Sequence, residues 1–261
     1  VVHATGGMAA LCAAYVVGPR IGRFDSDGSV NSLPKQSYVL QTLGTLIIWL
    51  GWYGFNGVST LGIVGLSGIA AKVMVNTTVS AAFGGVTTVV ISKFLTNIWD
   101  VSSATNGILA GLVSVTAACS TCEPEAAMIM GIVGALVYTS SSKLLIKLQI
   151  DDVVDAIPVH LFCGVWGTIA ASLFATKDNY ALAYYGEVDQ CAGVFYGGDG
   201  SALVANLVFI LSVLTWVGVT CMALFLGIKY TVGIRTSSSE EIVGMDDSKH
   251  GGRQELPEDM A

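Results

Sequence analysis

The chain has 261 residues, 53% of them hydrophobic and only 12% charged. A soluble domain carries about a quarter charged residues, so an ordinary water-soluble class is excluded. The formal net charge of −7 sits mostly in the C-terminal segment and the connections, and no basic patch points to nucleic acid.

The composition fits a polytopic helical membrane protein. Thirty-one glycines suit helices packed closely in a bilayer, where small side chains let backbones approach. Barrel strands alternate apolar and polar over about ten residues, whereas the apolar runs here reach about twenty. Six cysteines are scattered, and Cys12, Cys119, Cys163 and Cys221 lie in or beside apolar runs, which argues against a disulfide framework. The chain opens at Val1 inside an apolar run and without a signal-peptide pattern. It reads as a fragment, or a processed form, of a longer protein.

Seven candidate spans follow in chain order: 1–19, 37–58, 67–95, 106–120, 125–147, 156–176 and 201–230. The connections carry turn residues: DSDG at 25–28, SLP at 32–34 and YGGDGS at 196–201. Alternating spans sort the basic residues. Arg20, Arg23, Lys35, Lys93, Lys143, Lys147, Lys229, Arg235, Lys249 and Arg253 fall on one side, and Lys72 and Lys177 on the other. The positive-inside rule then places the C-terminus in the cytoplasm.

The sixth span raises the chemical question, because DDVVDAIPVH (151–160) brings ionisable groups into an apolar run. Asp152 and Asp155 fit the first turns of a helix, where carboxylates favour the positive dipole end. His160 lies on the order of 12 Å into the span. An intramembrane histidine is costly unless it meets a partner or a cavity. His3, in the first span, sits at comparable depth, while His250 lies in the tail. Two readings stay open here: a histidine pair sharing a proton, or two separately satisfied structural histidines.

VVHATGG (1–7), GWYGFNGVS (51–59), GLVSVTAAC (111–119) and DDVVDAIPVHLFCGVWG (151–167) resemble the ammonium transporter family, as does the tail with VGIR (232–235) and GMDDSKHGG (244–252). The matches run in family order along nearly the whole chain, and the tail is most similar to eukaryotic, plant-type members. The resemblance implies a plasma-membrane homotrimer of eleven-helix subunits built on an inverted repeat. This chain would start at the family's fifth helix and contribute the last seven. Residues 1–230 would form the membrane domain and 231–261 a cytoplasmic regulatory tail.

The same resemblance implies roles. His3 and His160 match the twin histidines of the pore, which relay a proton or conduct ammonia. Phe55 matches a gate phenylalanine, and Ser59 the hydroxyl that recruits ammonium outside. Trp52 and Thr116 match positions lining the route, and Trp52 is expected with Ser59 in substrate recruitment. Ser248 stands where plant-type members carry a phosphorylatable threonine, and a phosphate there would undock the tail. The partner gate phenylalanine, a vestibule tryptophan and an aspartate before the first histidine would lie upstream of Val1. The chain alone is therefore expected not to conduct, and transport belongs to the parent protein.

The chemistry agrees with these roles, since a dry pore must replace the water of ammonium with cation–π contacts and hydrogen bonds. No cofactor, metal or enzymatic chemistry is expected. CSTC (119–122) has no second CxxC or nearby histidine, and no phosphate-binding glycine loop suggests a nucleotide-driven pump. The NTT at 76–78 falls inside a span, and Gly107 with Gly111 reads as close helix packing. Two alternatives to ammonium transport remain: a Rhesus-type neutral gas channel and an ammonium sensor.

Overall fold

The computed structural model describes residues 1–33, 35–184 and 191–252. Pro34 of the SLP turn and Arg253 lie outside the described residues. Among the described residues the regular structure is helical: α1 Val2–Val17, α2 Tyr38–Gly57, α3 Ser67–Thr96, α4 Val101–Thr116, α5 Pro124–Lys147, α6 Cys163–Phe174, α7 Lys177–Ala183, α8 Ser201–Thr231, α9 Ser238–Val243 and α10 Met245–Lys249. A π-helical turn, Ile157–Phe162, leads into α6.

Each segment read as a span contains a helix. Local chemistry explains the boundaries. Ser37 caps α2 by accepting from the Leu40 amide at 3.2 Å, and Pro124 opens α5 where its missing N–H costs nothing. The fourth helix starts earlier than the sequence reading placed it. The Asp100 carboxylate accepts from the Ser102 and Ser103 amides, each at 3.1 Å, and so draws the polar SSATN stretch into α4.

By length and composition, four helices among the described residues suffice to cross a membrane: Ser67–Thr96, Pro124–Lys147, Ile157–Phe174 and Ser201–Thr231. α1 and α4 are apolar but shorter, with 16 residues each. At 1.5 Å per residue they measure about 24 Å, less than a hydrocarbon core of about 30 Å.

α4 is the centre of the bundle. Ala110, Leu112, Val113 and Val115 are fully or almost fully buried against α3, α5 and α6. Glycine permits this density. A Cβ at Gly111 of α4 or Gly131 of α5 would overlap the Ser80 carbonyl of α3, so three backbones meet at one point. Gly107 and Gly111 thus pack within this chain. Asn76 is also buried, its amide donating to the Cys119 and Cys122 carbonyls, both at 2.9 Å. The asparagine of the NTT pattern is therefore internal to the fold.

The charges gather at the two ends of the bundle. At one end, Arg20 forks onto Asp151 at 2.7 and 2.9 Å, and Arg23 lies 3.5 Å from the same carboxylate. Lys229 donates to the Val16 carbonyl at 3.0 Å, and Arg235 pairs with Glu241 at 2.7 Å. At the other end, Lys72 contacts Glu123 at 2.9 Å and Asn179 at 2.6 Å. This geometry groups Arg20, Arg23, Lys229 and Arg235 apart from Lys72.

Candidate functional site

Glycine contacts bring the two deep histidines together. α1 crosses the π-helical turn so closely that a Cβ at Gly7 would overlap the Leu161 backbone. One at Gly164 would lie 2.9 Å from the Ala4 nitrogen and 3.3 Å from the His3 Cβ. The His3 and His160 rings consequently stack, with centroids 5.3 Å apart and planes inclined by 14°. His3 Nε2 and His160 Nδ1 are both buried without a hydrogen-bond partner in the protein. Buried polar atoms are normally satisfied, and two such orphans on facing rings make the pair the candidate site.

The start of the π-helical turn has a local cause. Asp152 Oδ2 accepts from the Ile157 amide at 2.6 Å and starts the helix. Pro158 follows within the first turn, where its missing N–H is tolerated. A π-turn inserts an extra residue into the helix, and such insertions are frequent at functional sites.

Aromatic rings cover the pair from α2. The Trp52 ring lies 4.9 Å from His3 with planes 12° apart, and Phe55 lies 5.6 Å from His3 and 5.7 Å from Trp52. Trp52 is buried, and its Nε1–H donates to Thr116 Oγ1 at 3.0 Å. Thr116 in turn donates to the Leu112 carbonyl at 2.7 Å. His3, Phe55, Thr116, Val113, Gly164 and Thr168 line part of a cavity of about 100 Å³. A larger, shallow depression of about 470 Å³ on α8, around Trp216, carries no titratable group.

Two expected residues stand apart from this cluster. Ser59 is exposed on the short turn after α2 and donates to the Phe55 carbonyl at 2.5 Å. Ser248 is exposed in α10, donating to the Gly244 carbonyl at 2.8 Å. α9 and α10 are joined by Lys249 and Glu240 at 2.5 Å. The tail returns to the end of α1 through the Ile21 amide, which donates to Glu241 at 2.8 Å, and Arg235, which reaches the Val17 carbonyl at 3.3 Å. The Arg235 guanidinium and the Ile21 amide hold Glu241 below the usual carboxylate range.

Residues 1–255 match the sequence profile described as the Ammonium Transporter Family. The chain belongs to this family. It is 39% identical over 262 residues to ammonium transporter 1 member 2 of Arabidopsis thaliana, an alignment covering 97% of this chain and 51% of that one. It is 36% identical to ammonium transporter 3 of Dictyostelium discoideum, over 97% of this chain and 58% of that protein. The chain thus spans about half the length of the curated ammonium transporters it matches. Among solved structures, one titled Sensor Amt Protein superposes with a TM-score of 0.84 and 32% identity, covering 95% of this chain and 58% of that one. Mep2 of Candida albicans superposes at 0.80 with 28% identity, over 92% and 51%. The relatives are named as transport proteins, not enzymes, and the fold is that of the Amt and Mep2 structures.

Proposed function

We propose that the parent protein moves ammonium or ammonia across a membrane through a narrow apolar pore whose centre is the His3–His160 pair. The observation that carries this reading is the pair itself: two stacked, largely buried imidazoles, each with a buried ring nitrogen that has no partner in the protein. A soluble or structural histidine rarely sits so without a partner.

On this reading the residues take a sequence of roles. Ser59 holds the cation at the outer mouth, with Phe55 as the gate above His3, while Trp52, expected in recruitment, is buried against His3 and lines the route beside the pair. Ammonium sheds water there against aromatic faces, which supply cation–π attraction. Below Phe55, the free ring nitrogens accept an N–H hydrogen bond from the guest and can take or pass its proton. Thr116 keeps the wall ordered by accepting the Trp52 N–H. No cofactor or metal enters these steps.

The seven helical segments cross the bilayer, with Arg20, Arg23, Lys229, Arg235 and the tail on the cytoplasmic side, and the protein works as a homotrimer in the plasma membrane. The tail, docked on the end of α1, is a regulatory element, and phosphate on Ser248 beside Asp246 and Asp247 would repel it from the membrane domain. A sensor reading is kept because of that docked tail: binding in the pore would then be reported through tail contacts. Current evoked by ammonium in oocytes expressing the protein as its gene encodes it tests the proposal. A saturable current supports transport. Ammonium binding without current or flux supports the sensor, and uncharged flux supports the neutral gas channel.

A further inference from the structure

Asp155 reads from sequence as a helix-end charge, but the structure gives it another part. Its backbone has φ +57, a left-handed conformation that aspartate tolerates better than most residues. Its carboxylate gathers donors from two neighbouring helices. Tyr138 Oη donates to Oδ2 at 2.8 Å, Asn106 Nδ2 donates to the same oxygen at 3.2 Å, and Ser142 Oγ donates to Oδ1 at 2.9 Å. Tyr138 and Asn106 are themselves buried, and the Asn106 amide also reaches the tyrosine oxygen at 3.2 Å. The Asp155 carbonyl accepts from the Val159 amide at 3.1 Å, inside the turn that carries His160.

The other side of that turn is fixed differently. Gly164 packs on Ala4 of α1 and Gly167 on Ser114 of α4, with no room for a Cβ. His160 therefore hangs between two anchors, the Asp155 hub before it and the glycine contacts after it. The π-helical turn takes up the extra residue between them. If the first anchor slipped and the turn relaxed to α-helix, removing one residue from it would swing His160 by about 100° around the axis.

We propose that Asp155 is a positioning residue for His160: its carboxylate, held by Tyr138, Asn106 and Ser142, sets the register of the π-helical turn that presents the imidazole to His3. The inference rests on reading the pair as the transport centre, but its structural part can be tested without transport.

The experiment uses the protein as its gene encodes it, with ¹⁵N-labelled histidine, in lipid bilayers. Solid-state NMR reads the His160 imidazole, assigned by its loss in His160→Gln. Asp155→Ala should shift the His160 and His3 signals. Asp155→Asn, which keeps an acceptor oxygen and tolerates the left-handed backbone, should stay near the native spectrum. Asp155→Gly keeps the backbone freedom but loses every acceptor, and should resemble Ala. Tyr138→Phe removes one donor and should shift His160 in the same direction by less, which decides the matter if Asp155→Ala does not fold. Unchanged His160 signals in folded Asp155→Ala or in Tyr138→Phe overturn the proposal, and a native-like Gly variant overturns the part given to the carboxylate. In flux measurements, Asp155→Ala should lower maximal ammonium transport by about tenfold to a hundredfold with a smaller change in KM, and Asn, not Gly, should recover it. Absence of flux in the native protein would refute the transport reading while the NMR result still decides the positioning role.

Discussion

The indole of Trp52 lies 4.9 Å from the imidazole of His3 with the two planes only 12° apart. A ring on α2 thereby fixes the orientation of a ring on α1, and through the His3–His160 stack at 5.3 Å it reaches the π-helical turn. Trp52→Ala should remove this support. The expected cost is about 3–5 kcal/mol of stability from the lost buried ring, with loss of transport. Trp52→Phe keeps a stacking face and should retain more of both. Thermal unfolding in detergent, read beside flux in the same preparations, checks the order native, Phe, Ala.

Thr116→Val keeps the shape of the wall and deletes the acceptor of the Trp52 N–H at 3.0 Å. An orphaned buried donor costs about 1–3 kcal/mol. Because Trp52→Phe also removes the donor, Thr116→Val should cost much less in that background. A double-mutant cycle with a coupling near zero would show that the bond does not support Trp52.

Gly164→Ala tests how tightly α1 and the π-helical turn are pressed together. The new methyl would meet the Ala4 nitrogen at 2.9 Å and the His3 Cβ at 3.3 Å. Both neighbours belong to the α1 backbone or lie next to it, so the helix must move. Overpacking of this kind costs about 1–3 kcal/mol. The variant should lose transport out of proportion to its loss of stability, whereas Gly54→Ala in α2, with nothing within 4 Å, should keep transport and gain about 0.5–1 kcal/mol of stability.

The two ends of the bundle respond differently to acid. Burial pushes the Asp151 carboxyl up, but hydrogen bonds and charge from Arg20, then charge from Arg23, outweigh it and leave the group below its usual range. Hydrogen bonds from Lys72 and Asn179 likewise hold Glu123 low. Groups with depressed folded values stabilise the protein above the unfolded value, about pH 4. They lose that contribution as pH falls through the folded value. The Asp151 side chain is 3% exposed and that of Glu123 41%, so solvent screens the second far more. Asp151→Asn should lower stability at neutral pH by about 1–3 kcal/mol, and Glu123→Gln by less than about 1 kcal/mol. Unfolding midpoints across that pH range should converge on those of the variants in acid.

Much of the frame is legible in the sequence because long apolar runs and their caps are local. The seven segments all contain helices, and Gly107 and Gly111 could be read as packing residues from their spacing alone. The early start of α4 is also local, and Asp100 before SSATN is a cap signal that the apolar reading passed over. The histidine pair could be suspected from depth, but its stacking depends on Gly7 and Gly164, which lie on different helices. The hub at Asp155 is less legible still. Its partners Asn106, Tyr138 and Ser142 are ordinary residues on helices defined by other signals, and nothing in DDVVDAIPVH distinguishes a capping aspartate from a hub. The π-helical turn has no pattern of its own, because it results from two anchors that tertiary contacts set.

The central claim is that the His3–His160 pair carries the substrate's passage. Its most direct test is ammonium-driven current and internal pH change in proteoliposomes holding the protein as its gene encodes it, beside His160→Ala and His3→Ala. The account predicts that each substitution abolishes the current or alters the ratio of charge to ammonium moved, while both proteins remain folded and Phe55 and Trp52 stay in place. Native current and native charge ratio in both variants would contradict it.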